Sequence, residues 1–323
     1  MPFNDVLSRA DATALIPVET SAEIIKNIAE LNPALRLARR LPNMSRYQRN
    51  MPVQSALATA FFVNGDTGLK QTTDVTWGNT VLQAEEIAAI IPIPESVLDD
   101  SEFDIWAQVR PEVEAALSVA VSGALFYGTN IPASWTTALG AAGLFARATA
   151  AGNVVTNANY ADTYEAIMGE TAGGVDGLLM TLEADGFMHT GHVASPAMRG
   201  RLRNLRDLNG VPLFTTGMQG GFDPRLDGSP IYFPTDGTIV DATSWMFSGD
   251  WSQLVYAMRQ DISYKLLTEA VIQDAGGNIV YNLAQQDMVA LRVVMRMGVA
   301  LPNPINRVNG TAATRCAFAV LTA

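Results

Sequence analysis

Apolar positions recur at helical spacing in "VETSAEIIKNIAELNP", where Ile24, Ile25, Ile28 and Leu31 share one face. The pattern predicts a short amphipathic helix. Thr20 or Ser21 caps it, Thr20 with Glu23 completes a Thr-x-x-Glu capping box, and Asn32-Pro33 ends it. Residues 1–17 carry only a weak pattern and read as an extended arm, either frayed or tied down by something outside its own domain. Residues 34–54 turn strand-like and basic. Next comes "FFVNGDTGLKQTTDVTWGN", residues 61–79, which reads as a hairpin. Phe61-Phe62-Val63 and Val75 with Trp77 flank a polar middle in which Asn64-Gly65 supplies positive φ angles and Gly68 a second bend. No neighbouring stretch offers this hairpin a cover, and an isolated hairpin is at best marginally stable in water.

Beyond it, the apolar run in "EEIAAIIPIP" suits a strand buried on both faces. Asp100 or Ser101 is expected to cap a helix with an acidic first turn. Pro111 then either kinks that helix or starts a new one. From Pro111 to Tyr127, residues Val113, Leu117, Ala120, Val121, Ala124 and Leu125 mark a long central helix, ended by Gly128. Residues 130–155, rich in Ala, Gly and Thr, read as a linker or loop. A compact α+β unit is expected next: a helix in "NYADTYEAIMGET", a strand in "DGLLMTL", then strand, helix, turn and strand in "HVASPAMRGRLRNLRDLNGVPLF". Pro196 opens that helix and Asn209-Gly210 closes it. Further strands are predicted in "GSPIYFP", "SWMFSGDWSQLVYAMRQDISYKLL" and "MVALRVVMRMGVAL". The elements do not alternate as βαβ, which argues against a doubly wound sheet.

The chain has 323 residues, of which 48% are hydrophobic and 16% charged. That is ample for a core and suggests about two domains. No apolar stretch approaches the ~20 residues of a membrane span. The N-terminus lacks a basic region followed by an apolar run, so no signal peptide is expected. The single cysteine, Cys316, excludes an internal disulfide framework and points to a reducing cytoplasm or a particle built there. The net charge of −11 opposes general nucleic-acid binding. Arginine is nevertheless concentrated twice, at Arg36, Arg39, Arg40, Arg46 and Arg49 and at Arg199, Arg201, Arg203 and Arg206. Two readings stay open for these groups: solvated faces or intersubunit ion pairs, and contacts with nucleic acid.

Few residues of the chain fall into a pattern that carries chemistry. His189 and His192, with Asp185 nearby, match no zinc spacing. Ser195 lacks the Gly-x-Ser-x-Gly elbow. No phosphate loop or dinucleotide fingerprint is present. Asp99-Asp100 is explained by helix capping. No catalytic, cofactor-binding or metal-binding residue is therefore assigned, and the chain leans towards structure or binding rather than enzymology.

Several stretches taken together resemble the major capsid proteins of tailed double-stranded DNA bacteriophages, with their Hong Kong 97-type fold. They are "ALIPVETSAEIIKNIAELNPALRLARRLP", "WGNTVLQAEEIAAIIPIPESVLDDSEFDIWAQVRPEVEAAL", "ASPAMRGRLRNLRDLNGVPLF", "SGDWSQLVYAMRQDISYKLL" and "DMVALRVVMRMGVALPNP", in the family's order and across nearly the whole chain. The resemblance implies an α+β chain with an N-arm over 1–33, a first peripheral segment over 34–49 and an extended loop over 50–84. The peripheral domain with its spine helix would follow over 85–154 and an axial domain over 155–262. A peripheral return over 263–300 and an axial C-terminal segment over 301–323 would complete it.

On this reading the hairpin lacks a partner in its own subunit because its partner is a neighbouring one. Phe61, Phe62, Lys70 and Trp77 become intersubunit contact candidates, and Arg199, Arg201, Arg203 and Arg206 lumen or ion-pair candidates. The implied partners are further copies in pentamers and hexamers, a portal protein, and packaged double-stranded DNA enclosed non-specifically. A decoration protein stays open. Some members carry an N-terminal scaffolding extension; Met1 stands directly before the arm, so a separate scaffolding protein, or none, is expected. The implied location is the virion, assembled in the bacterial host cytoplasm, with no membrane. An encapsulin-like compartment shares the fold but typically begins with a cargo-holding helix, and a hydrolase around His189, His192 and Ser195 is the remaining alternative. Some members also join an extended-loop lysine to an asparagine of a neighbouring subunit, aided by a buried glutamate. Here Lys70 fits the lysine, but Asp287 stands where the asparagine is expected and Val294 near the acidic position, so no crosslink is expected. Asn278 and Asn282 remain as substitute acceptors.

Overall fold

A computed structural model describes residues 32–63, 65, 68–101, 104–169, 177–206, 214 and 224–323. The predicted arm and the helix ending at Leu31 lie outside these residues, as do Asn64 and Asn209-Gly210.

Asn32 opens the described chain by capping α1 (Pro33–Leu37), its Oδ1 accepting from the Leu35 N–H at 3.1 Å. Its Nδ2 donates to the Ser118 carbonyl on the long helix. After the two-residue β1 (Arg39–Arg40), β2 (Gln48–Gln54) pairs antiparallel with β3 (Trp77–Gln83), so that Gln48 faces Gln83 and Gln54 faces Trp77. β4 (Glu85–Pro94) was expected to be buried on both faces; instead it alternates half-buried with exposed positions. Ile87, Ala89 and Ile91 pack under the long helix and Ile93 is buried near the strand's end, while Glu86, Ala88 and Ile90 are exposed among the described residues.

The short α2 (Glu95–Asp100) contains Asp99 and Asp100 at its end, so neither caps the next helix. That role falls to Asp104, whose Oδ1 accepts from the Ala107 N–H at 3.1 Å. α3 (Ile105–Tyr127) is one helix passing through Pro111. Pro111 and Ala107 are both exposed, so the carbonyl that loses its helical donor faces water. Gly128, at φ 70°, ends the helix in the left-handed region.

The stretch read as a linker folds instead into α4 (Ala133–Leu139) and α5 (Gly143–Ala151). Alanine is the strongest helix former, and Trp135, Leu139, Leu144 and Ala148 are buried at helical spacing. β5 (Val154–Thr156), α6 (Thr163–Met168) and α7 (Leu178–Ala184) follow. α7 replaces the strand expected in "DGLLMTL", because Leu178, Leu179 and Leu182 bury one side of a helix. Then come β6 (Gly191–Ala194), α8 (Pro196–Asn204), β7 (Arg225–Leu226), β8 (Ser229–Tyr232) and β9 (Met246–Gly249). The chain closes with β10 (Val255–Leu267), β11 (Val271–Gln273), β12 (Ile279–Asn282), β13 (Met288–Ala300) and β14 (Phe318–Thr322).

Two larger sheets result. One has the order β1-β10-β13-β4, with the thirteen-residue β13 paired along both sides. α3 covers it through Val113 and Leu117, which meet Leu291 and Val293. The second is mixed, in the order β5-β14-β9-β6-β8-β7. Phe126, at the end of α3, lies 4.8 Å ring to ring from Phe247, and Trp251 lies 5.0 Å from Phe318. These rings belong to one buried cluster that also takes in Met297 and Val299 of β13, so one core serves both sheets. β10 lies in the four-stranded sheet from Val255 onward, which crosses the division expected between residues 262 and 263.

Candidate functional site

Beyond β2 and β3 the ladder thins without ending. The Ser55 N–H donates to the Thr76 carbonyl at 2.9 Å, and the Thr59 N–H to the Thr73 hydroxyl at 2.9 Å. The paired strands therefore lie below the predicted 61–79 hairpin, on residues 48–54 and 77–83, and the described residues between Gln54 and Trp77 form no strand. On this limb Phe61 is 55% exposed, Leu69 93%, Trp77 67% and Phe62 fully so, while Lys70 is exposed as well. Exposed apolar clusters of this kind are, in general, the hallmark of interaction sites.

The base of the limb is fixed. Gly298 on β13 lets the Gln83 carbonyl approach so closely that a Cβ there would sit 2.7 Å from its oxygen. Residues 302–315 form a strap alongside: the Arg307 guanidinium donates to the Ala58 carbonyl at 2.9 Å, and the Ile305 N–H to the Gln54 carbonyl at 3.3 Å. The strap is anchored by Arg315, buried yet donating to the carbonyls of Asn303 at 2.9 Å and Asn309 at 2.8 Å. Asp185, also buried, accepts from the side chains of Asn153 and Asn309 and from the Cys316 N–H. None of these partners is local in sequence to the limb, so sequence patterning does not reveal them.

A second apolar surface escaped the sequence reading. Leu266 near the end of β10, with Val271, Ile279, Val280 and Tyr281 on the β11–β12 hairpin, is exposed. The signal was present: both short strands carry apolar residues on successive positions, so neither face is wholly polar.

The arginines of 199–206 divide. Arg201 makes two bonds to Asp241, at 2.8 and 3.1 Å, with its guanidinium 3.7 Å from the centre of the Trp245 ring. Arg199, Arg203 and Arg206 are exposed. The other candidates have structural partners. Ser195 caps α8, its Oγ accepting from the Met198 N–H, and donates to Asp241 at 2.6 Å. Ser195 thus serves the arginine side of the unit, while His189 and His192 face the β7–β8 turn. Burial, and then the neighbouring His189, push His192 down to about 3, which keeps it neutral near pH 7. Among the described residues no three histidine, cysteine or acidic side chains gather as a metal site. No described helix is long and apolar enough to cross a membrane.

The Phage capsid family model matches residues 12–306. The major capsid protein of Staphylococcus phage 80alpha is 22% identical over 87% of this chain and 80% of its own length. The probable major capsid protein gp17 of Mycobacterium phage D29 is 24% identical over 71% and 69%. Among solved structures, a chain from Microbacterium phage Oxtober96 is 33% identical with a TM-score of 0.81, covering 98% of this chain and 99% of its own. A chain from Mycobacterium phage Bobi is 26% identical with a TM-score of 0.78, over 98% and 99%.

Proposed function

The chain belongs to the phage capsid family, and from that premise we propose how its surfaces build a shell. It is a major capsid protein with the Hong Kong 97-type fold, a structural protein rather than an enzyme, located in the virion and self-assembling into the capsid. The limb from Gln48 to Gln83 is the extended loop, and Phe61, Phe62 and Trp77 bury against a neighbouring copy, with Lys70 beside them. The four-stranded sheet with α3 is the peripheral domain and the six-stranded sheet the axial domain. Copies associate as pentamers and hexamers, assembled in the bacterial cytoplasm. A separate scaffolding protein, where one is used, directs that assembly, and a portal protein completes the shell. Weak contacts repeated under closed symmetry sum to a stable container. Double-stranded DNA is enclosed without sequence readout, consistent with a net charge of −11. Arg199, Arg203 and Arg206 make ion pairs with other copies or face the lumen.

The exposure of Phe62 and Leu69 on a limb whose base is fixed carries this reading. Deleting residues 64–73 tests it. The expected product is a soluble subunit with unchanged circular dichroism and thermal midpoint that forms no shells by negative-stain microscopy. Normal shells from the deletion variant overturn the assignment of the limb.

A further inference from the structure

The β7–β8 hairpin is held to the rest of its sheet by few bonds. β8 meets β6 at two residue pairs, His192 with Ile231 and Val193 with Tyr232, and β7 is the outermost strand. Two imidazoles hold the turn from the β6 side. His192 Nε2 lies 3.3 Å from the Leu226 carbonyl oxygen. His189 Nε2 lies 3.3 Å from the Asp227 carbonyl oxygen and 3.4 Å from its carboxylate. The Ser229 hydroxyl donates to the His189 carbonyl at 3.2 Å. The two rings are 5.1 Å apart. Each Nε2 faces a carbonyl and therefore carries the hydrogen, leaving Nδ1 bare in the neutral ring. Neither Nδ1 has a hydrogen-bond partner among the described residues, nor does the Oγ of Ser248, which stands opposite His192 on β9.

We propose that His189 and His192 form an acid-sensitive latch that fastens the β7–β8 hairpin to β6 and loosens when His192 takes a second proton. A second proton would sit on Nδ1, and at His192 that site is fully buried with no acceptor in place. The neighbouring His189 ring, 5.1 Å away, offers a proton at that site no acceptor, since its own Nε2 is engaged with the Asp227 carbonyl. Around the pair the hairpin contributes Arg225 and Asp227 as charged groups, β8 contributes Ser229 and Ile231, and β9 contributes Ser248. Of these named groups Asp227 is the negative one, and its exposed carboxylate compensates weakly.

The sign follows from burial. His192 is held at about 3 in place, against an ordinary 6.5 once released. The latched state is therefore fully favoured above the ordinary value and loses ground as the pH falls from there towards the lower one. Opening the hairpin frees Leu226 and Ile231 from the cluster they share with Met246, Ala319 and Leu321, while β9 and β14 keep their own pairing and the rest of the sheet persists.

Hydrogen exchange on the full-length subunit, corrected for the intrinsic pH dependence of exchange, tests this. Between pH 7 and pH 4.5, protection over residues 225–232 is expected to fall about tenfold or more, out of roughly a hundredfold available from such a shift. Protection in β9 and β14 should hold. His192→Gln keeps a donor for the Leu226 carbonyl but cannot titrate, and should abolish the fall. An equal fall in His192→Gln, or a loss spread evenly over β9 and β14, overturns the latch. Should that variant not fold, histidine-labelled NMR of the wild-type chain decides: His192 should stay neutral and Nε2-protonated down to pH 5, and titration near 6.5 in the folded chain overturns it.

Discussion

Arg201 sits where three interactions meet: two bonds to Asp241 and the face of Trp245. A planar fork serves both at once, which a lysine does not. Arg201→Gln is expected to lower the stability of the isolated subunit by about 1–2 kcal/mol, read as a lower thermal midpoint, because bidentate pairs and cation–π stacking add modestly even when half-exposed. Arg203→Gln, whose nearest partner is the Arg199 carbonyl at 3.4 Å, should leave the midpoint unchanged and act, if at all, on assembly. Equal midpoints for the two variants would refute the distinction. The bond from Arg201, chief among the causes, holds the Asp241 carboxyl below its usual value. Its contribution is thus present above the ordinary carboxylate range and lost as the pH falls through the lowered value.

Between elements, the junction of α3 with α5 leaves no room for a side chain. Gly128 and Gly143 both have positive φ, and a Cβ on either would strike the other's segment, at 2.3 Å from the Ala142 carbonyl oxygen and 2.6 Å from the Gly128 nitrogen. Gly128→Ala and Gly143→Ala should each cost about 2 kcal/mol or more, since strain and overlap add. Gly152→Ala serves as control: it has positive φ but open space, so its cost should stay nearer 1 kcal/mol. Denaturant midpoints of the three variants check the ordering. Such a junction also shows what sequence patterning reaches. Gly128 was legible as a helix stop because punctuation is local. α4 and α5 were not, because their alanines bury only against distant partners, and "DGLLMTL" is too short for its period to separate strand from helix. The exposed aromatics of the limb were legible as apolar residues lacking a cover. Its attachment through Arg307 and Ile305 was not, since those contacts join residues far apart in the chain.

For the whole particle, covalent joining between copies is the question the sequence raises. Asp287 adopts φ 47° at the entry to β13, where its carbonyl accepts from the Glu95 N–H, and Val294 is buried in the middle of that strand. A carboxylate is a poor electrophile for lysine, and a valine takes no proton from it. Boiled, reduced particles should therefore run as one band near 34.6 kDa; a ladder abolished by Lys70→Ala would refute this. The position of β14 has a different consequence, for the order of events during synthesis. It lies between β5 and β9, with Val320 paired to both Val154 and Phe247. A ribosome-bound chain that has made everything through the strap still has an open slot in its larger sheet. Non-local pairing of this kind forms late, so a prematurely terminated chain never presents a finished subunit to a growing lattice.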